Sequence, residues 1–280
     1  GEKGRMSFDL SLKDHNCCQV QNDIIVSIKG GERYNVVLDS VEAVANVDLS
    51  VEYMKYLENN NLTGDVIKVD NLYHYTLNGV AAHAMEPHKG RNAGTYICDF
   101  FKDYSKNSLV EYIAKMHHLD HYMKHHELDY DDYEMGPITC NIGIIDISKN
   151  ASRVTLDLRY PVRYDIEKYY KVFNEIIDKF DLVITNQTNK KPHYVSPSDP
   201  LVVLLSEAYV KHSHDTVNKP FTVGGGTYAS MMPKAVAFGP ELPGEVVLAH
   251  QRDEYFLLDT FFMSVLIYID AIIALGEIDA

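Results

Sequence analysis

Four short polar segments interrupt an otherwise predictable chain, and each carries residue types that could do chemistry. The first is Ala82-His83-Ala84-Met85-Glu86-Pro87, where a histidine between two alanines leaves a strand and enters a loop. A loop histidine with open space around it can bond a ligand or simply face water. The second is Asp157-Leu158-Arg159-Tyr160-Pro161. Here Arg159 shares a strand face with Asp157, so it is either a sheet-surface salt bridge or a fork for a substrate carboxylate. The third is Gly224-Gly225-Gly226-Thr227-Tyr228, which matches neither the dinucleotide fingerprint nor the P-loop. Its bare backbone N–H groups could still approach an anion. The fourth is Ala249-His250-Gln251-Arg252-Asp253-Glu254-Tyr255. One histidine does not make a metal site, which needs three or four ligands.

A fifth group looks like a metal site and is read otherwise. His117, His121 and His125 fall at i, i+4 and i+8 of an expected helix, with His118 and His126 beside them. No carboxylate is arranged there as a general base, and the reading is a solvated helix face.

The elements that must position these segments follow from periodicity. Ser7 to Leu12 alternates as a half-buried strand, and Asp23 to Lys29 forms a second strand ended by Gly30-Gly31. Asp39-Ser40-Val41-Glu42 resembles a capping box, and Val41, Val44, Val47, Val51 and Met54 predict a helix over about 40–58. Asp65 to Val69 and Leu72 to Val80 predict a hairpin turned at Asp70-Asn71. A second helical stretch runs from Asn92 to about His126. Ile138, Cys140, Ile142 and Ile144 alternate, as do Val154, Leu156, Leu158 and Tyr160, and predict an antiparallel pair. A helix over about 165–180 and a short strand at 182–184 follow. Pro192, Pro197 and Pro200 mark a linker or boundary. Beyond it come a helix near 199–212, the glycine loop, a short strand at 235–239 and a long terminal helix. Strands interleaved with helices over 7–188 predict an α+β layered domain with the helices on one sheet face. The remainder reads as the closing part of a larger α/β domain.

Composition narrows the function classes. The chain has 280 residues with 26 Lys+Arg against 40 Asp+Glu, a formal net charge of -14. That charge disfavours nucleic acid and anionic membrane surfaces. The longest apolar run, Phe261 to Ile269, is too short to span a bilayer and predicts a buried helix. The polar start Gly1-Glu2-Lys3-Gly4-Arg5 does not read as a signal peptide. Cys17, Cys18, Cys98 and Cys140 are expected to be reduced thiols of a cytoplasmic protein. The first residue is Gly, and the chain reads as a piece of a longer open reading frame.

Taken together and in order, the motifs are recognisable. GGERYNVV (30–37), NGVAAHAMEPHKGRNAG (78–94), LDLRYPV (156–162), GGGTYASMMPKAVAFGPELPGE (224–245) and AHQRDEY (249–255) resemble the bacterial PepV-like dipeptidases. These belong to the aminoacylase, succinyl-diaminopimelate desuccinylase and carboxypeptidase G superfamily of metal-dependent hydrolases. The resemblance covers nearly the whole chain. The tyrosine of GGGTYA favours the dipeptidase branch.

The resemblance implies roles residue by residue. His83 matches a lid histidine that steadies the oxyanion of a tetrahedral intermediate. Asn35 and Arg159 match lid residues that hold the substrate, with Arg159 on its C-terminal carboxylate. Gly225 and Gly226 match the loop lining the same pocket, and His250 matches a ligand of a dinuclear zinc or manganese centre. It also implies a lid domain over 6–195 and a C-terminal segment of an α/β zinc-peptidase catalytic domain over 196–280. The family's other metal ligands and its general-base glutamate have no counterpart here, so an N-terminal catalytic segment is expected to be missing. The expected substrate is an unblocked dipeptide, with two divalent metal ions in the intact enzyme, and the chain alone is expected to be inactive. Two other readings stay open: an N-acyl amino acid amidohydrolase of the same superfamily, and a truncated non-catalytic binding module.

Overall fold

The structure, a computed structural model, describes residues 1–14, 21–239, 241–246, 248 and 253–277. The chain divides into two units: Lys3–Pro192, and His193–Ala280 together with Gly1–Glu2.

The Lys3–Pro192 unit is built on ten strands. They are β1 (Gly4–Leu12), β2 (Ile25–Gly30), β3 (Ser40–Ala45), β4 (Thr63–Val69), β5 (Leu72–Asn78), β6 (Asp131–Asp132), β7 (Gly136–Pro137), β8 (Thr139–Ser148), β9 (Ser152–Tyr160) and β10 (Leu182–Lys190). Eight of them form one antiparallel sheet in the order β10-β1-β9-β8-β2-β3-β5-β4, and β6 pairs with β7 apart from it. The order is symmetric about the central β8–β2 pair. On one side β8 leads to β9, then through a helix to edge strand β10, with β1 between them. On the other, β2 leads to β3, then through a helix to edge strand β4, with β5 between them.

The helices are α1 (Ser50–Asn59), α2 (Ala93–Phe101), α3 (Ser108–Met116) and α4 (Ile166–Asp178). Side-chain caps start three of them: Asn92 Oδ1 accepts from Gly94 N–H at 3.0 Å, Asn107 Oδ1 from Leu109 N–H at 3.0 Å, and Asp165 Oδ1 from Lys168 N–H at 2.9 Å. The helices bury Tyr53, Phe100, Phe101, Tyr112 and Phe173 against Met6, Phe8, Leu10, Leu156 and Leu158 of the sheet in one continuous core. On the sheet's other face β1, β8 and β9 carry Ser7, Asp9, Thr139, Asn141, Thr155, Asp157 and Arg159.

Several local expectations change. The stretch expected as a helix over 40–58 splits into β3 and α1. Val41, Ala43 and Ala45 are buried alternately, and strand pairing on both edges of β3 outweighs the capping-box pattern. The helical stretch over 92–126 is two helices and a turn-rich segment. Left-handed backbone at Leu119 (φ 59°), Met123 (φ 63°) and Glu127 (φ 55°) ends regular helix after Met116. So His117, His121 and His125 do not line one helix. In β8 the alternation shifts register between Ile142 and Ile144, and Ile145 and Ile147 become the buried residues. A Cβ on Gly143, at that shift, would lie 2.3 Å from the Tyr34 carbonyl oxygen, so only glycine admits the approach of that loop. The strand at 182–184 is longer, Leu182–Lys190, and residues 235–239 form no strand.

The second unit holds α5 (Pro200–Ser213) and α6 (Leu258–Gly276). Asp199 caps α5, with Pro200 in its first turn. Their shared core is Leu205, Ala208 and Ala271, backed by Leu201, Val236, Phe238 and Leu275. Asp270 of α6 takes Lys211 and His212 of α5, each at 2.6 Å. The expectation of a buried terminal helix is corrected. Thr260, Ser264, Ile267 and Ala271 face inward, while Leu258, Phe261, Phe262, Val265, Leu266, Ile269, Ile272 and Ile273 are exposed. By length and composition α6 is also long and apolar enough to cross a membrane, because the helix extends past Phe261–Ile269 on both sides. A core helix of a soluble protein meets the same measure.

Candidate functional site

Two of the expected site residues meet on paired backbone. The loop after β2 and the loop after β5 form a short antiparallel bridge, with Val36 opposite His83. Val37 N–H donates to the Ala82 carbonyl at 2.8 Å, and Ala84 N–H donates to the Asn35 carbonyl at 3.0 Å. Neither loop belongs to a long strand. Each is tied at its base: Gly79 N–H donates to Asp39 O at 2.8 Å, Val80 and Arg91 exchange both backbone bonds at 2.9 Å, and Ala93 N–H donates to Leu38 O at 2.7 Å. A rigid frame therefore carries Asn35 and His83 at the end of the sheet.

The ring of His83 has a defined polarity. Its Nδ1 accepts from Met85 N–H at 3.1 Å, so the neutral ring carries its proton on Nε2. Partial shelter of the ring and the positive charge of Arg159 push its pKa below the ordinary value, against the opposing pull of Asp157 and Glu86. The residue as a whole is exposed. At neutral pH His83 is thus an outward Nε2–H donor on a fixed backbone. Chemically it can hydrogen-bond a developing oxyanion, as a preformed donor should.

Arg159 lies within electrostatic reach of His83 but is buried, 2% exposed. Its Nε donates to Asp157 Oδ1 at 2.5 Å and its Nη2 to Oδ2 at 2.8 Å, and Asp157 is fully buried. The pair is an interior one rather than a sheet-surface one. Asp157 takes the side-on edge of the guanidinium, through Nε and Nη2. Thr139 is the cross-strand partner of Arg159 on β8, and its hydroxyl is buried with no hydrogen-bond partner among the described residues.

The structure adds two residues that sequence reasoning missed. Asn141 of β8, 3% exposed, donates from Nδ2 to Val36 O at 3.0 Å and to Tyr34 O at 3.4 Å. Asn92 donates to Asn141 Oδ1 at 3.3 Å and to Ile142 O at 2.7 Å while its own Oδ1 caps α2. The available signal was an asparagine inside a strand of isoleucines, a position that needs a partner for each polar atom.

The other expected residues lie in the second unit. Gly225 is half-buried and a Cβ there would meet nothing within 4 Å. Gly226 is exposed. His250 lies outside the described residues, as do Cys17 and Cys18, whereas Cys98 and Cys140 are free and buried. Among the described residues no three His, Cys, Asp or Glu side chains come together as a metal-ligand set. The described residues therefore do not by themselves fit a dinuclear metal centre.

Two histidines of the histidine-rich segment, His117 and His126, are core residues rather than part of the solvated helix face expected, while His125 is exposed. Tyr112 Oη lies 2.9 Å from His126 Nε2 and 3.1 Å from His117 Nε2. One hydroxyl has one proton, so it donates to one ring and accepts from the other. Burial, reinforced by neighbouring histidines, lowers the pKa of His117 to about 3 and that of His126 to about 2. Both are held neutral.

With this geometry in hand, the likenesses to known proteins take on meaning. Residues 72–182 match the peptidase dimerisation domain family. Proteins named "Putative dipeptidase" from Staphylococcus haemolyticus and from Staphylococcus aureus are each 32% identical over 286 aligned positions, which cover 98% of this chain. The chain spans 61% of the length of each. The solved aminoacylhistidine dipeptidase of Vibrio alginolyticus aligns with 81% of this chain and 53% of its own at 10% identity, with a TM-score of 0.31, too slight a likeness to carry an argument. By its motifs and these relatives the chain resembles the PepV-like M20 peptidases, and residues 72–182 match the peptidase dimerisation domain.

Proposed function

We propose that this chain is the substrate-closing part of a cytoplasmic dipeptidase that hydrolyses unblocked dipeptides. The observation that carries the reading is His83: a neutral Nε2–H donor held on the Asn35 bridge beside a buried arginine. In this role His83 donates to the carbonyl oxygen as it becomes an oxyanion, and its fixed backbone means little reorganisation at that moment. Arg159, held by Asp157, reads the substrate carboxylate. Asn35 contributes to holding the bound dipeptide on this unit. Binding both substrate ends limits length and places the scissile carbonyl.

The same reading makes the chain part of a longer polypeptide. Its relatives are longer, and the outward apolar stripe of α6 suits a helix covered on both faces. The longer protein would hold two divalent ions, zinc or manganese, with His250 among the ligands. Such ions supply Lewis-acid activation of water and carbonyl when bound.

The test is hydrolysis of an unblocked dipeptide with zinc or manganese added. The 280-residue chain alone should be inactive. A polypeptide that restores the upstream segment should be active, and His83→Ala in it should lower kcat by ~10²–10³-fold. Activity of the longer protein on N-acyl amino acids alone would move the reading to an amidohydrolase. No activity on either would leave a binding module.

A further inference from the structure

We propose that Asn141 is a positioning residue for Asn35 and His83, a role that rests on the dipeptidase reading above. The Asn141 carboxamide donates to the Val36 carbonyl and, more weakly, to the Tyr34 carbonyl, the two that flank Asn35. It thereby pins the Tyr34–Asn35 and Val36–Val37 peptide units to β8. Val36 is bridged to His83, and the Asn35 carbonyl receives Ala84 N–H. A shift of residues 34–36 would therefore move the strand end that presents the imidazole.

The orientation of the carboxamide is itself fixed. Its oxygen faces the amide of Asn92, which also donates to Ile142 O and whose Oδ1 caps α2. Two loops, one strand and one helix start thus meet at one buried side chain. Only an amide fits: it needs donors toward two carbonyls and an acceptor toward Asn92. Aspartate would turn lone pairs toward the carbonyls. Gly143 completes the seat, because its missing Cβ lets the Tyr34 carbonyl settle on the strand. Nothing in sheet formation calls for a buried asparagine here. Its flanking residues Cys140 and Ile142 serve the core, whereas its own bonds go to the loops. The hold is rigid because the network leaves little slack in a low-dielectric interior.

The experiment has two arms. In the 280-residue chain, Asn141→Asp and the milder Asn141→Ser are followed by amide hydrogen exchange. Exchange at Ala84 and Val37 should quicken by at least ~10-fold, while amides in the β1–β9 ladder such as Leu10 and Leu158 change less than about 2-fold. Unchanged exchange at Ala84 overturns the proposal, and so does an equal loss across the whole sheet, which is what general destabilisation gives. In the longer protein, Asn141→Ser should lower kcat for an unblocked dipeptide by roughly 10-fold with KM within about 3-fold, because misplacing a catalytic donor by less than an ångström acts on the transition state. Equal kcat overturns the proposal. If the unsubstituted longer protein has no dipeptidase activity, the functional reading fails, and the exchange arm alone decides whether Asn141 holds the bridge.

Discussion

In the Lys3–Pro192 unit the large side chains Phe8, Tyr53, Tyr75, Tyr112 and Phe173 are buried within a core closed by the unit's own helices. In the His193–Ala280 unit the arrangement is inverted. The inward face of α6 is Thr260, Ser264, Ile267 and Ala271, and Leu258, Phe261, Phe262, Leu266, Ile269, Ile272 and Ile273 point out. Burying a large apolar side chain is worth about 1.5–3 kcal/mol, so the stripe on α6 represents stabilisation that other chain can still provide. The contrast teaches where the autonomy of this protein lies. The sheet unit closes its apolar core internally and buries the polar network around Asn141. The helix pair does not.

The largest expected effect probes the self-contained unit through its buried imidazoles. His117 and His126 are neutral in the fold, with pKa values of about 3 and 2, against an ordinary value near 6.5 in the unfolded chain. Lowered folded pKa values mean that stability is fully present above about pH 6.5 and is lost as pH falls below it, since only the unfolded chain gains protons there. Two such groups should remove several kcal/mol by pH 4.5, at up to about 1.4 kcal/mol per group and pH unit. Thermal melts of the 280-residue chain followed by circular dichroism across pH 4–8 would show it. The pair His117→Gln, His126→Gln should flatten the dependence; a profile equally steep in that variant would remove these residues as its source.

The next effect probes the incomplete unit. The 280-residue chain should self-associate through α6, and Phe262→Glu with Leu266→Glu should return it to monomer in sedimentation velocity. A clean monomer before substitution would show that the exposed stripe needs no cover.

The smallest effect compares the units at single glycines. Gly143→Ala places a Cβ 2.3 Å from the Tyr34 carbonyl oxygen and should cost about 1–3 kcal/mol, read as a fall in denaturant midpoint. At Gly225 a Cβ meets nothing within 4 Å, and Gly225→Ala should stay within about 0.5 kcal/mol. Equal costs at the two positions would contradict the contrast between a tightly seated loop and an open one.

Much of the fold was legible because strong period-2 stretches leave few options. The alternation of Val154, Leu156, Leu158 and Tyr160 gave β9, and the Asp70-Asn71 turn gave the β4–β5 hairpin. The misreadings share a cause. Val41, Val44, Val47 and Val51 fit a helical spacing as well as Val41, Ala43 and Ala45 fit a strand, and only pairing with β2 and β5 chose between them. The continuous helix over 92–126 failed for a local reason: left-handed backbone at Leu119, Met123 and Glu127 has no glycine to announce it. Of the candidate site, the motifs named His83, Asn35 and Arg159. Nothing in their spacing showed that the first two share a backbone bridge; the Asp157 partner of the third was one of the readings offered, but as a surface pair and not the buried one observed.

The sequence by itself determined the element types where hydrophobic period is unambiguous, the helix starts at Asn92, Asp165 and Asp199, and the family to which the motifs point. These are local properties, set by backbone sterics and by side chains that bond within a few residues. Tertiary structure alone decided that loops about 47 residues apart meet at Val36 and His83, that Asn141 and Asn92 hold them there, and that His117 and His126 turn inward onto Tyr112. The reason is physical. A buried polar group is stable only when every partner arrives together, and which partners arrive is set by the closing of the sheet and not by any short stretch of chain.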